Sequence, residues 1–191
     1  SSNMMNVDGA LAIAVTTTAS HDIGTLNYSM ENGVGAAIVN QNGLINAFSA
    51  GTVTLTVTSA GNADYNPTSA TQLITIGQNT PTLTVTSADS LSLGDSLTVA
   101  VVTTATFGRG GSMNFAITGG SGSATVNSGT GFVQAIGAGT VTLIASSASD
   151  TNYNAATTSQ LITIGKSVQV LAITSPNTMA VDGILAASIT S

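Results

Sequence analysis

The reading of this chain turns on Gly51-Thr-Val-Thr-Leu55, which returns unchanged as Gly139-Thr-Val-Thr-Leu143. The offset, 139 − 51 = 88, also carries Tyr65-Asn66 onto Tyr153-Asn154 and Gln72-Leu-Ile-Thr-Ile-Gly77 onto Gln160-Leu-Ile-Thr-Ile-Gly165. It carries Leu83-Thr-Val-Thr-Ser87 onto Leu171-Ala-Ile-Thr-Ser175 as well, so a third copy opens before the sequence ends. Upstream, Leu26-Asn-Tyr-Ser-Met30 matches Met113-Asn-Phe-Ala-Ile117 at offset 87, which places small insertions in loops. Self-similarity at a fixed period marks an array of one structural unit. We therefore expect three segments: 1–77, a unit without the stretch equivalent to Thr80–Thr86; 78–165, a complete unit; and 166–191, the opening strands of a third.

Within a unit the hydrophobic period is two. Leu11, Ile13 and Val15 alternate with small residues, as do Leu26, Tyr28 and Met30, and Val53, Leu55 and Val57. Such alternation describes half-buried strands, and the intervening threonines suit a pleated solvent face. Turn chemistry separates the runs at Asn32-Gly33, Asn42-Gly43, Gly94-Asp95, Gly119-Gly120 and Asp182-Gly183. About seven short strands per unit, with no amphipathic helix, predict an all-β chain of two-sheet antiparallel sandwiches, about 88 residues per repeat. The inward set of the first unit is expected to be Leu11, Ile13, Val15, Leu26, Tyr28, Met30, Val39, Val53, Leu55, Val57, Tyr65, Ile74 and Ile76. The linkers, Gly77–Pro81 and Gly165–Ser167, are short, so neighbouring units should stand end to end with limited bending.

Composition narrows the chemistry. Charged residues make up 5% of the 191, against about a quarter in an ordinary soluble domain. The chain has no Cys, so disulfide scaffolds, thiol catalysis and cysteine-ligated zinc are out. Arg109 and Lys166 are the only cations, too few to neutralise phosphates, so neither nucleic acid nor anionic lipid is expected as a partner. No apolar run approaches the ~18 residues of a membrane helix, so no membrane insertion is expected within this segment. The start, Ser1-Ser2-Asn3, has no initiator Met and no signal-peptide pattern, and we expect a piece of something longer.

Ala37-Ile-Val39, Asn42-Gly-Leu-Ile45 and Ala50-Gly-Thr-Val-Thr-Leu55 together resemble the bacterial immunoglobulin-like domains of the second group, the repeats of intimin- and invasin-type surface adhesins. The second copy carries the same string as Ala124-Thr-Val126, Gly131-Phe-Val133 and Ala138-Gly-Thr-Val-Thr-Leu143. Gly61-Asn-Ala-Asp-Tyr-Asn-Pro67 and Asp150-Thr-Asn-Tyr-Asn-Ala155 are similar to a corner of tandem repeats in large bacterial exported proteins. The resemblance covers about half of each unit and implies immunoglobulin-like sandwiches in series. It departs from the family in having little charge and no Trp near Tyr28 and Phe115.

Candidate sites are few. His21, beside Asp22, lacks a nucleophile elbow, and the loop equivalent to it, Thr104–Ser112, has no His; we read it as a loop residue. Glu31 is the only Glu, so a facing carboxylate pair of the glycosidase kind is poorly served. Calcium at a junction would draw on Asp64 with Asn62, Asp150 with Asn152, and the turn acids Asp8, Asp95 and Asp182, but their spacing matches no calcium loop and turn-forming Asp is the favoured reading. Tyr65 and Tyr153, at equivalent corners, are read as rings filling the sandwich end with a hydroxyl bonded to backbone, ahead of sugar stacking. Arg109 lies in the loop that differs most between copies, and Asn27-Tyr-Ser29 is a formal glycosylation sequon. No catalytic, cofactor-binding or metal residue is assigned, and no enzyme activity or cofactor is expected.

Sheet edges are normally guarded by charge or Pro, and this chain has little of either. Residues 168–175 repeat the opening strand that the first copy lacks, so they are expected either to add to the first unit of another chain, giving a head-to-tail homopolymeric filament, or to belong to a longer covalent array. The expected partners are neighbouring repeats of the same or identical chains. The expected role is the spacer or shaft of a bacterial cell-surface adhesin or extracellular fibre, located outside the cell. The alternative is a ligand- or carbohydrate-binding module of an adhesin or secreted enzyme.

Overall fold

The computed structural model describes residues 3–20, 22–106, 111–175, 177–184 and 186–190. The readings of His21 and Arg109 therefore fall outside the described residues. Described residues 3–77 form seven strands: β1 (Met4–Asn6), β2 (Ala10–Ala12), β3 (Leu26–Asn32), β4 (Ala36–Val39), β5 (Leu44–Ser49), β6 (Gly51–Ser59) and β7 (Thr68–Gly77). One sheet has the order β1-β7-β6-β3 and the other β2-β5-β4. The next stretch adds β8 (Leu83–Val85), β9 (Ser90–Ser92), β10 (Ser96–Thr98), β11 (Val101–Thr103), β12 (Met113–Thr118), β13 (Ser123–Val126), β14 (Phe132–Gly137), β15 (Gly139–Ser147) and β16 (Ala156–Gly165). Its sheets, β9-β16-β15-β12 and β10-β14-β13, repeat those of the first unit, and β8 pairs with β11. A last pair, β17 (Ala172–Ile173) and β18 (Ile189–Thr190), repeats the β8–β11 pairing 88 residues later: Ile173 faces Ile189 as Val85 faces Val101. The chain is all β, with no helix among the described residues, and its sandwiches are immunoglobulin-like.

The two long central strands show why the alternation reads as it does. In β6, Val53 and Leu55 are buried while the threonines between them are only partly covered; β15 places Val141, Leu143 and Ala145 in the same way. Pairing is antiparallel throughout the named strands except at β1–β7 and β9–β16, which are parallel. Because β8 and β9 are separate strands, paired with β11 and β16 respectively, and β10 and β11 likewise pair with different partners, the second unit contains nine strands rather than seven.

Each unit has its own buried cluster. The first contains Met5, Val7, Ala37, Ile45, Ala47, Val53, Leu55, Ile74 and Ile76; the second is built around Phe115, Val133, Val141, Leu143, Ile162 and Ile164. Leu11, Ile13, Tyr28, Met30, Val39 and Val57 pack against the first cluster as expected. Val15 does not: it is 41% exposed, and among the described residues no strand covers the edge it lies on. Tyr65 is only half-buried. Ile45, rather than its neighbour Leu44, points inward, a phase that alternation alone leaves open in an unbroken apolar pair.

Candidate functional site at the junction of the repeats

The polar corner before the last strand of each unit is built by one Asx turn. Asp150 Oδ1 accepts hydrogen bonds from the backbone N–H groups of Asn152 and Tyr153, both at 2.8 Å, and Asn62 Oδ1 does the same for Asp64 and Tyr65 at 2.9 Å. Asp150 Oδ2 also accepts from Gly111 N at 3.0 Å. Burial pushes the Asp150 carboxyl up, but the N–H groups of Asn152, Tyr153 and Gly111 favour its ionised form and together hold it below its usual value.

The turn aims Tyr153 out of its own unit. The ring is fully buried and belongs to the cluster of the first unit, with Ala105 packed beside it. Its hydroxyl accepts a hydrogen bond from Thr106 N at 2.9 Å and donates one to Asp8 Oδ2 at 2.8 Å. The expectation that this corner Tyr fills its own sandwich and bonds backbone is thus half met: the backbone bond is there, but the ring closes the neighbour. Asp8 is presented by a turn in which Gly9 N donates to Asn6 O at 2.9 Å, and Asp8 itself takes the left-handed conformation at φ 64°. A third-position φ above zero in such a turn favours Gly, Asn or Asp, and its counterparts are Gly94 (φ 90°) and Asp182 (φ 61°).

Around the ring the second unit is hydrogen-bonded to the first unit and to the linker. Asn152 Oδ1 accepts from Ser49 Oγ (3.1 Å) and Ala50 N (3.0 Å) of the first unit. Asn79, in the linker, donates from its N–H to Asn152 O (2.9 Å) and accepts from Asn154 N (2.8 Å), so the linker lies as a parallel bridge along the corner. Gln78 Nε2 donates to Asp150 O at 2.6 Å and Asn154 Nδ2 to Thr80 Oγ1 at 2.9 Å. From Gln78 to Thr80 the linker is thus bonded along the Asp150–Asn154 corner of the second unit.

The junction therefore gathers three of the residues weighed as calcium ligands, Asp8, Asp150 and Asn152, and gives each a hydrogen-bonding role. Among the described residues no group of three or more His, Cys, Asp or Glu converges. Asp95 Oδ2 accepts from Ser92 N at 3.2 Å, Asp22 Oδ1 from Gly24 N at 3.0 Å, and Asp64 and Glu31 are exposed. Asn27 is exposed on β3, opposite Thr58. Tyr65 Oη meets Ser20 N at 3.2 Å, matching the Tyr153–Thr106 bond of the second unit. Ser49 and Ala50, which donate to Asn152, and Asn79, which donates to it and accepts from Asn154, were not found by sequence reasoning; the return of Val7-Asp8-Gly9 as Val181-Asp182-Gly183 marked only the turn that presents Asp8. No helix is long and apolar enough to cross a membrane among the described residues.

No known family's sequence pattern matches the chain, and no curated protein matches it either. Among solved structures it is similar to a SusE-like surface-located polysaccharide-binding protein from the heparin utilisation locus of Bacteroides thetaiotaomicron, at 16% identity and TM-score 0.36, over 85% of this chain and 32% of that one. It is also similar to the fibronectin(III)-like modules of Clostridium thermocellum CbhA, at 13% identity and TM-score 0.34, over 85% of this chain and 89% of that one. The chain thus spans about a third of the first of these proteins.

Proposed function

We propose that this chain is a length of shaft: tandem immunoglobulin-like units that hold a binding part away from a bacterial surface, within an intimin- or invasin-like adhesin or an extracellular fibre. The observation that carries the reading is Tyr153, a side chain of one unit buried in the core of the next and bonded there to Asp8. A spacer transmits position only if its joints resist bending, and a shared core residue with a bonded linker resists it where a flexible linker would not. The surface suits the role, since hydroxyl-rich faces with two cations in the whole chain offer trypsin-like proteases little to cut.

Small-angle X-ray scattering on the chain tests this. An elongated particle of fixed length is expected, and a compact or flexibly jointed one overturns the reading. A glycan array on the same chain tests the alternative, a carbohydrate-binding module: a spacer gives no specific binding, whereas reproducible binding to one glycan class makes the module the better account.

A further inference from the structure

Strand β3 is the outer strand of its sheet and, among the described residues, pairs with β6 alone. Its residues alternate: Leu26, Tyr28 and Met30 are half-buried, while Asn27 and Ser29 are exposed and stand opposite Thr58 and Thr56. Residues two apart on a strand point the same way, so the asparagine and the hydroxyl of the sequon Asn27-Tyr-Ser29 share one face. Their cross-strand neighbours are threonines, too small to screen them.

Beside Asn27 lies a hollow of about 550 Å³, lined by Thr25, Leu26, Asn27, Tyr28, Gln41 and Asn42. Residues from both faces of β3 line it, so it sits at the free edge of the strand, against the turn between β4 and β5. That turn is held by its own groups: Asn40 Oδ1 accepts from Asn42 N and Leu44 N, both at 2.9 Å, and Gly43 N donates to Asn40 O at 3.0 Å. Gly43, at φ 74°, lets the Tyr28 ring lie against the turn, where a Cβ would stand 3.1 Å from Tyr28 Cζ. Among the described residues, no hydrogen bond engages the side-chain amides of Asn27, Gln41 and Asn42 or the Tyr28 hydroxyl. The hollow is of a size that holds a small molecule. With no charge in its wall, three open amides that both donate and accept, and one aromatic ring, it matches the hydroxyls and C–H faces of a sugar.

The second unit provides an internal control. Asn114-Phe-Ala116 occupies the same position on β12 but has no hydroxyl at its third residue. Its turn is one residue longer, Asn127 to Gly131 against Asn40 to Gly43, and closes on the strand, where Phe115 N donates to Ser128 O at 2.9 Å. Tyr28 N makes no such bond to Gln41. Ser128 and Gly129 stand where the first unit has Gln41 and Asn42. The sequon, the open edge and the amides thus occur together in one copy and are missing together from the other.

We propose that Asn27 is a glycosylation site whose first sugar seats in the hollow against Gln41, Asn42 and Tyr28. The Asn-x-Ser triplet is the acceptor pattern for such transfer. The co-reactant is a sugar activated as a glycosyl diphosphate: its anomeric carbon forms a bond to Asn27 Nδ2, the bond from that carbon to the diphosphate oxygen breaks, the electron pair leaves with the diphosphate, and Nδ2 gives up one proton. The site goes beyond the shaft reading and does not depend on it, since scattering judges the shaft and peptide mass judges the site. Mass spectrometry on chymotryptic peptides of the chain from its native source tests the proposal. The peptide containing Asn27 should carry the mass of whole sugar residues, placed on that asparagine by fragmentation, and the peptide containing Asn114 should carry none. Ser29→Ala, a change at an exposed position, should remove the sugar from Asn27. Hydrogen exchange at Gln41, Asn42 and Gly43 should be slower in the glycosylated chain than in that variant. An unmodified Asn27 overturns the proposal, as does a sugar on Asn114 or one that survives Ser29→Ala. Equal exchange in the two chains overturns the seating of the sugar in the hollow.

Discussion

The phenol of Tyr153 has two requirements, a dry place for its ring and partners for its hydroxyl, and the first unit supplies the place while both units supply the partners. Tyr153→Ala should therefore cost about 3–5 kcal/mol, the range for deleting a buried aromatic. The loss should register in the first unit, although the substitution is in the second: hydrogen exchange of β5 and β6 should accelerate more than that of β14 and β15. Tyr153→Phe keeps the ring and removes the hydroxyl, and should cost about 0.5–1.5 kcal/mol in urea unfolding. Asp150 adds a pH dependence. Its folded-state carboxyl is held low, so it contributes stability that is present above the unfolded value of about 4 and is lost as pH falls through the lower folded value. Asp150→Asn should flatten that acid-side loss in urea midpoints measured across the range while keeping the turn, since Asn62 builds the same turn in the first unit. The type of these residues was legible in the sequence, and so was their recurrence. Which core each ring enters was not, because periodicity along one unit carries no information about what the linker folds back against.

Strands β6 and β15 were the most legible elements, since Val-x-Leu alternation over a β-branched run has one sensible face. Each begins at a glycine that sequence alone marks only as a turn residue. Gly51 and Gly139 sit at φ 136° and 134°, and a Cβ on Gly139 would lie 2.4 Å from Gly122 N. Gly139→Ala should accordingly lower stability by at least about 1–3 kcal/mol, the usual cost of a strained backbone, read as a drop in the urea midpoint. The shorter strands were less legible. β1, β9 and β10 are three residues each, and β1 and β9 pair in parallel with a strand far along the chain, so no local pattern announces them. Val15 was expected inside because it continues the alternation of Leu11 and Ile13; its exposure goes with an edge that no strand covers among the described residues, which alternation cannot register. The covered version of that edge has a measurable value. Leu83→Ala should destabilise the second unit by about 2–5 kcal/mol, with its hydrogen-exchange protection falling first along β8 and β11.

At the scale of the whole molecule the account rests on a joint. Two sandwiches of the same topology have separate buried clusters, yet the Tyr153 ring and the Asn152 amide of the second reach into the first, and the linker residues Gln78–Thr80 bond along the same corner. The 88-residue offset marked the recurring segments and the alternation marked the fold class, whereas the hydrogen bonds at the junction became visible only in three dimensions. The absence of Cys from the sequence makes the joint easy to measure, because two introduced cysteines are the only sites a spin label can take. Labels at Val34 in the first unit and Thr130 in the second, both exposed, report the distance across the joint by pulsed electron resonance. One narrow distance distribution is predicted, broadening when Tyr153→Ala is added; a broad distribution in the otherwise unaltered chain would contradict a rigid shaft.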